Sequence, residues 1–245
     1  MEACRSGMSD DPREQVRLGC QVLDLLGQSD LVWGHVSVRD PGGRGTWIKA
    51  RGLGFDEVTA SDVVLVDRDG TILEGDGGLH LEYPIHTEVL AARPDVSAVV
   101  HTHPQAAVAF GATDLELRPI GHEGALFSPP GPPRFTGTSD LINTSELGAA
   151  VAASLGNHNA VLLVNHGIVT AGRDLPAAVL GAVFLEKACR LQLDAAATGR
   201  PLRWSTDEEA VAKRESFGGP GQMASVWQYL LRRVQTRVEA RTPTV

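Results

Sequence analysis

The stretch AVVHTHP, residues 98–104, carries an apolar run into two histidines one residue apart, followed by a proline. On an extended strand alternate side chains share a face, so His101 and His103 point one way and Thr102 the other. The proline then suits the first turn of a helix, PQAAVAF (104–110), and the preceding YPIHTEVLAARPD (83–95) reads as a helix stopped by Pro94. A buried strand ending in histidines between two helices points to an α/β fold with chemistry at a strand-to-helix junction. The HxH pair is half a metal site; without a third ligand it reads equally well as a polar strand end or as core histidines bonded to backbone.

Working outward, DDPREQVRLGCQVLDLLGQSDL (10–31) places Val16, Leu18, Val22, Leu25 and Leu26 near helical periodicity after Asp and Pro start signals. WGHVSVRD (33–40), GTWIKA (45–50) and DVVLVDRDGTILEG (62–75) suggest antiparallel strands, the last with Asp69-Gly70 as a tight turn. Beyond a Pro/Gly-rich loop, SPPGPPRFTG (128–137), come a capped helix from Thr144, strands AVLLVNHG (160–167) and IVTAG (168–172), and a long helix from Leu175 to about Thr198. The tail breaks at ESFGGPGQ (215–222). After it, Met223, Val226, Trp227, Leu230 and Leu231 form an apolar helix face that needs a partner and reads as a subunit interface.

A chain of 245 residues with 42% hydrophobic residues suits one sizeable core. The balance of 30 acidic against 22 basic residues, net charge −8, with no Lys/Arg block, argues against nucleic acid or an anionic membrane as partner. Cys4, Cys20 and Cys189 are widely spaced with no CxxC, which suggests a reducing compartment. Neither a secretory h-region nor an 18-residue apolar span is present, and the expected location is cytoplasmic.

The third ligand comes from AVLLVNHG, where a second buried strand ends at His166 and Gly167 lets the backbone turn closely. Three neutral imidazoles plus an open position commonly hold one catalytic divalent metal, zinc by default, with manganese, cobalt or iron able to take its place. Glu82, just before the helix at 83, is the candidate for the fourth position; otherwise it is an acid at a helix start, favourable with the dipole.

The series GxxSxR, GxxFDE, ExxxH, ARPDxxAVVHxHP and NHG, in this order, resembles the class II aldolase and adducin head-domain family, over roughly residues 12–198. The resemblance implies a three-layer α/β/α sandwich with a largely antiparallel central sheet: a single domain over 1–245, with core motifs in 12–198 and a helical C-terminal extension in 199–245. It implies a divalent metal on His101, His103 and His166, Glu82 as ligand and proton carrier, and a homo-oligomer, usually a tetramer, with active sites between subunits. Members acting on sugar phosphates grip the phosphate with small polar turns. Here His35 stands for an asparagine in the turn that also carries Ser37, Arg51 for the serine before Gly52, and His80 with Leu81 for the serine pair before Glu82. A guanidinium suits a carboxylate, so His35, Ser37, Arg51, Gly52 and His80 are candidate contacts to a small-molecule carboxylate substrate. His122 takes the place of the tyrosine acid that fuculose-phosphate aldolase borrows from a neighbouring subunit, and can exchange a proton near neutral pH.

With HEGALF (122–127) and WQYLLRR (227–233), which adds Tyr229 as a substrate contact, the set is similar to members that decarboxylate hydroxylated aromatic acids such as dihydroxyphthalate. The expected activity is therefore a metal-dependent carbon–carbon lyase. Three alternatives stay open: retro-aldol cleavage of a sugar-like or sugar-phosphate substrate, an iron-dependent oxygenase, and a non-catalytic adducin-like association domain. Intact Glu82, His101, His103 and His166 argue against the last.

Overall fold

The computed structural model describes residues 9–241, so Cys4 lies outside the described residues. Eight strands form one sheet: β1 (His35–Arg39), β2 (Thr46–Lys49), β3 (Val63–Val66), β4 (Ile72–Glu74), β5 (Ala98–Thr102), β6 (Arg134–Phe135), β7 (Ala160–Leu163) and β8 (Gly167–Gly172). Their order is β4-β3-β2-β1-β5-β8-β7-β6, and every pair is antiparallel except β6 with β7. The helices are α1 (Pro12–Leu25), α2 (Tyr83–Ala92), α3 (Gln105–Gly111), α4 (Gly121–Ala125), α5 (Ser145–Leu155), α6 (Leu175–Ala196), α7 (Asp207–Phe217) and α8 (Pro220–Arg241).

Period-two alternation divides the core between the two sheet faces. Ala98 and Val100 of β5, Leu162 of β7 and Ile168 of β8 join the cluster formed with α1, α3, α6 and α8. Val99, Val161 and Val169, one residue out of phase, pack against α2 and α5. The result is the three-layer α/β/α sandwich with a largely antiparallel sheet. His101 shares the face of Val99, so the strand that fills the core on both sides also delivers its terminal histidine beneath α2.

Local signals set the helix ends. Asp11 accepts from Arg13 N–H before Pro12 opens α1, and Thr144 and Asp174 cap α5 and α6 through their side chains. The opening helix stops at Leu25 rather than running to Leu31: its last turn gives way to Gly27 at φ +73° and then to a tight turn. The Pro/Gly-rich loop contains β6, which adds to the sheet edge beside β7.

The apolar face of the C-terminal helix finds its partner within the chain. Trp227, Leu230 and Val234 are buried in the core cluster shared with α1 and α6, with Met223, Val226 and Leu231 packed against it, which corrects its reading as a subunit interface. Cys20 in α1 and Cys189 in α6 are buried free thiols. Among the described residues no helix is long and apolar enough to cross a membrane.

Candidate metal centre

The site forms where β1, β5 and β8 lie side by side. His35 pairs directly with His101 across β1 and β5, so the two rings share one face with centroids 5.0 Å apart. His103 follows the end of β5. His166 sits in the turn between β7 and β8, where Asn165 adopts the left-handed conformation (φ +59°). Gly167 is required at the next position: a Cβ there would lie 2.6 Å from the Thr102 carbonyl oxygen, 2.7 Å from His103 Cδ2 and 3.2 Å from His101 Cε1.

Glu82, His101, His103 and His166 offer four donor atoms within 4.8 Å of one another. Glu82 stands at the start of α2 but does not cap it. Its carboxylate turns inward, where Oε1 accepts from Ile142 N–H at 2.8 Å and faces His166 Nε2 at 3.5 Å, and Oε2 faces His101 Nε2 at 3.6 Å and His35 Nε2 at 4.0 Å. Burial alone would raise its pKa; the facing His101 and His166 rings and the Ile142 amide outweigh burial and hold the group ionised, below the usual carboxylate range.

The ring tautomers test whether a cation fits. His101 Nδ1 lies 2.9 Å from the Ile168 carbonyl oxygen, and His103 Nδ1 lies 3.0 Å from Asp30 Oδ2. Both partners can only accept, so each Nδ1 carries a proton. The two Nε2 atoms are 3.0 Å apart. Two ring nitrogens this close repel unless a proton or a metal ion lies between them. Burial, with His101 and His166 beside it, pushes the His103 pKa down to about 4, so the His103 ring is neutral at neutral pH and its Nε2 keeps a lone pair. A tetrahedral zinc with ligands at about 2.1 Å would space its donors by about 3.4 Å, within the spread of spacings seen here. The donor set fits a divalent cation.

Around these four residues lie three more histidines. Ser37 Oγ is 2.6 Å from His86 Nδ1, and His86 Nε2 is 2.7 Å from His35 Nδ1, a buried chain that leaves only Nε2 of His35 free toward Glu82. His80 stands 4.5 Å from His35, ring to ring, with Nε2 3.1 Å from the buried ammonium of Lys49. Burial first and neighbouring rings or Lys49 second lower the pKa of His35, His86 and His80, the last to about 3, so all three rings are neutral.

The cluster opens into a cavity of about 370 Å³ lined by Val32, Trp33, Gly34, His35, Arg51, Gly52, His80, Leu81, Glu82, His103 and Leu141. His35, His80, Arg51 and Gly52 therefore meet two of the four donor residues, Glu82 and His103, at one cavity. The remaining candidates do not. Ser37 is fully buried behind His35, with its hydroxyl taken by His86; His122 lies on α4 against Phe217; and Tyr229 is exposed on α8, where its hydroxyl accepts from Arg233. None of the three lines the cavity of its own chain. Sequence reasoning assigned no role to His86, Asp30, Trp33 or Leu141. The signal for His86 is its spacing of one helical turn from Glu82; Asp30 is 73 residues from the ring it touches, and no local pattern connects them.

Residues 14–193 match the sequence profile of the Class II Aldolase and Adducin N-terminal domain. A 3,4-dihydroxyphthalate decarboxylase from Arthrobacter keyseri is 34% identical over 236 residues, 91% of this chain and 93% of that protein. Among solved structures, an aldolase II superfamily protein from Pseudomonas syringae aligns with TM-score 0.81 and 32% identity over 95% of this chain and 96% of the other. An L-fuculose 1-phosphate aldolase from Glaciozyma antarctica PI12 aligns with TM-score 0.80 and 26% identity over 92% of this chain and 90% of the other.

Proposed function

This chain belongs to the class II aldolase and adducin N-terminal domain family, and on that premise we propose that it is a divalent-metal-dependent carbon–carbon lyase that decarboxylates a hydroxylated aromatic acid. The observation that carries the reading is the make-up of the cavity. Its lining joins Glu82 and His103 of the donor cluster to Arg51 and to Trp33, Leu81 and Leu141, which are 54%, 59% and 42% exposed. Solvent-facing apolar side chains around a polar floor suit a flat, apolar-bodied ligand with oxygens at its edge. A sugar phosphate, polar on both faces, would leave those walls unmatched, and the serine turns that would cradle a phosphate are replaced here.

Glu82, His101, His103 and His166 would hold one divalent ion per chain, zinc by default, which would supply positive charge to adjacent substrate oxygens. The protein's own groups position and move protons. Glu82, ionised beside the donor cluster, takes the proton of a substrate hydroxyl and returns it to the ring carbon vacated by CO2. His35, fixed by His86 and Ser37, presents a single nitrogen beside Glu82. Arg51 pairs with a carboxylate the substrate keeps. His122 and Tyr229, away from their own cavity, serve in this reading the cavity of a neighbouring subunit in a homotetramer.

The test follows CO2 release from ortho-dihydroxylated benzoates and phthalates by the metal-loaded protein, with aldehyde formation measured beside it. CO2 from at least one such acid is expected. Arg51→Ser should weaken its binding by no more than about fivefold, because Arg51 is exposed and exposed ion pairs contribute up to about 1 kcal/mol. A second reading, retro-aldol cleavage, is favoured by the likeness to the fuculose 1-phosphate aldolase. Aldehyde from a sugar phosphate, with no CO2 from any acid, would put that reading in place of the first.

A further inference from the structure

The three imidazoles of the donor cluster are not braced alike. His101 is oriented by a backbone carbonyl, that of Ile168 at 2.9 Å, and the buried Nδ1 of His166 has no hydrogen-bond partner. Of the three Nδ1 atoms, that of His103 is the one held by a charged side chain, lying 3.0 Å from Asp30 Oδ2. Asp30 reaches it from a turn that the rest of the structure pins in place. Asp30 and Trp33 form an isolated antiparallel bridge, with Trp33 N–H donating to the Asp30 carbonyl at 2.9 Å, and the Lys49 ammonium donates to the Val32 carbonyl at 3.3 Å.

Between these anchors Leu31 sits at φ +51°, the left-handed region that a leucine rarely adopts. Its side chain is 71% exposed, so burial of that side chain does not repay the strained backbone. Strain of this kind persists where surrounding contacts over-determine a position, and here the contact it delivers is the Asp30 carboxylate on His103.

We propose that Asp30 is a positioning residue for the metal ligand His103. By accepting a hydrogen bond from Nδ1–H it selects the tautomer whose Nε2 lone pair faces the donor cluster, fixes the ring plane, and makes that nitrogen a stronger donor. Because the same turn carries Trp33 into the cavity wall, the brace also ties the metal floor to the apolar wall of the substrate cavity. Asp30 touches no substrate in this assignment and acts only through His103.

The inference rests on the metal reading of the cluster, and its test separates the two. Zn2+ affinity is measured by chelator competition, and the Co2+ absorption spectrum recorded, for wild type, Asp30→Ala and Asp30→Asn, together with the Tm of each metal-free protein. Asp30→Ala should bind Zn2+ about tenfold more weakly, the low end of the usual effect because the aspartate is part-exposed, with a shifted Co2+ spectrum and an unchanged metal-free Tm. Asp30→Asn, which can still accept a hydrogen bond from Nδ1–H through its amide oxygen, should recover the spectrum and part of the affinity. Wild-type affinity and spectrum in Asp30→Ala would overturn the assignment while leaving the metal site standing. Equal affinity losses in both variants that track a fall in metal-free Tm, with the wild-type spectrum, would reduce Asp30 to a fold-supporting residue and also overturn it. A wild-type protein that takes up neither ion would sink the metal reading itself.

Discussion

The two ends of β1 are both buried and polar, yet they are built on opposite principles. Beyond its C-terminal end, Asp40 is 4% exposed and its carboxylate is saturated: Oδ1 accepts from Trp47 Nε1 at 2.8 Å and from Arg44 at 3.0 Å, and Oδ2 accepts from the Arg44 backbone and Nε, each at 3.1 Å. Arg44 foremost, with Trp47 assisting, holds the Asp40 pKa at about 2 against the cost of burial. At the N-terminal end, His35 opens a cluster of rings in which Nε2 of His101 and Nε2 of His103 face one another and an ionised Glu82 stands beside them. At the Asp40 end each carboxylate oxygen meets two donors; at the His35 end two ring nitrogens, Nε2 of His101 and Nε2 of His103, face each other 3.0 Å apart. The first arrangement is complete as folded and supports structure. The second gathers four donor atoms that could hold a cation, which is the arrangement the proposed chemistry needs.

The sharpest way to break this contrast is at Glu82. Glu82→Gln keeps the shape of the side chain but removes the charge and the proton acceptor, and turnover of whatever substrate is identified should fall about 10²–10⁴-fold while the variant stays folded. Wild-type kcat in that variant would leave Glu82 with no more than a place at the start of α2.

A second difference is visible to pH in the metal-free protein. His35, His80, His86 and His103 are all held neutral in the fold, whereas in the unfolded chain each titrates near 6.5. Below that pH the unfolded state binds more protons than the native one, so stability falls as pH drops from about 6.5 toward 4. His35 and His86 alone should remove about 2 kcal/mol between pH 6.5 and 5.5, measured by urea unfolding. A flat stability over that interval would mean that the rings accept protons in place.

The smallest effect belongs to the saturated end. Asp40→Asn should cost about 1.5 kcal/mol of stability, because charge-assisted bonds are exchanged for neutral ones, and should leave metal content untouched. In the parent protein this contribution is fully present above pH 3.8 and is lost as pH falls through 2, well below the window in which the histidines act. A loss of metal from Asp40→Asn would show that the two ends of β1 are coupled.

Much of the fold and the core of the candidate site are legible in the chain itself, because they depend on local spacing. AVVHTHP states its strand and the shared face of its histidines through period-two alternation, the caps at Asp11, Thr144 and Asp174 announce their helices, and Gly167 after His166 marks a close turn. What needed the tertiary structure is whatever depends on register and on which surfaces meet. The pairing of His35 with His101 across two strands, the reach of Asp30 over 73 residues to His103, and the burial of Ser37 behind His86 follow from how β1, β5 and α2 stack, which no local pattern encodes. Trp227 makes the same point: its apolar helix face is plain from spacing alone, but an apolar stripe says only that it must be covered, and the docking of α8 on α1 and α6 decides that its own chain covers it.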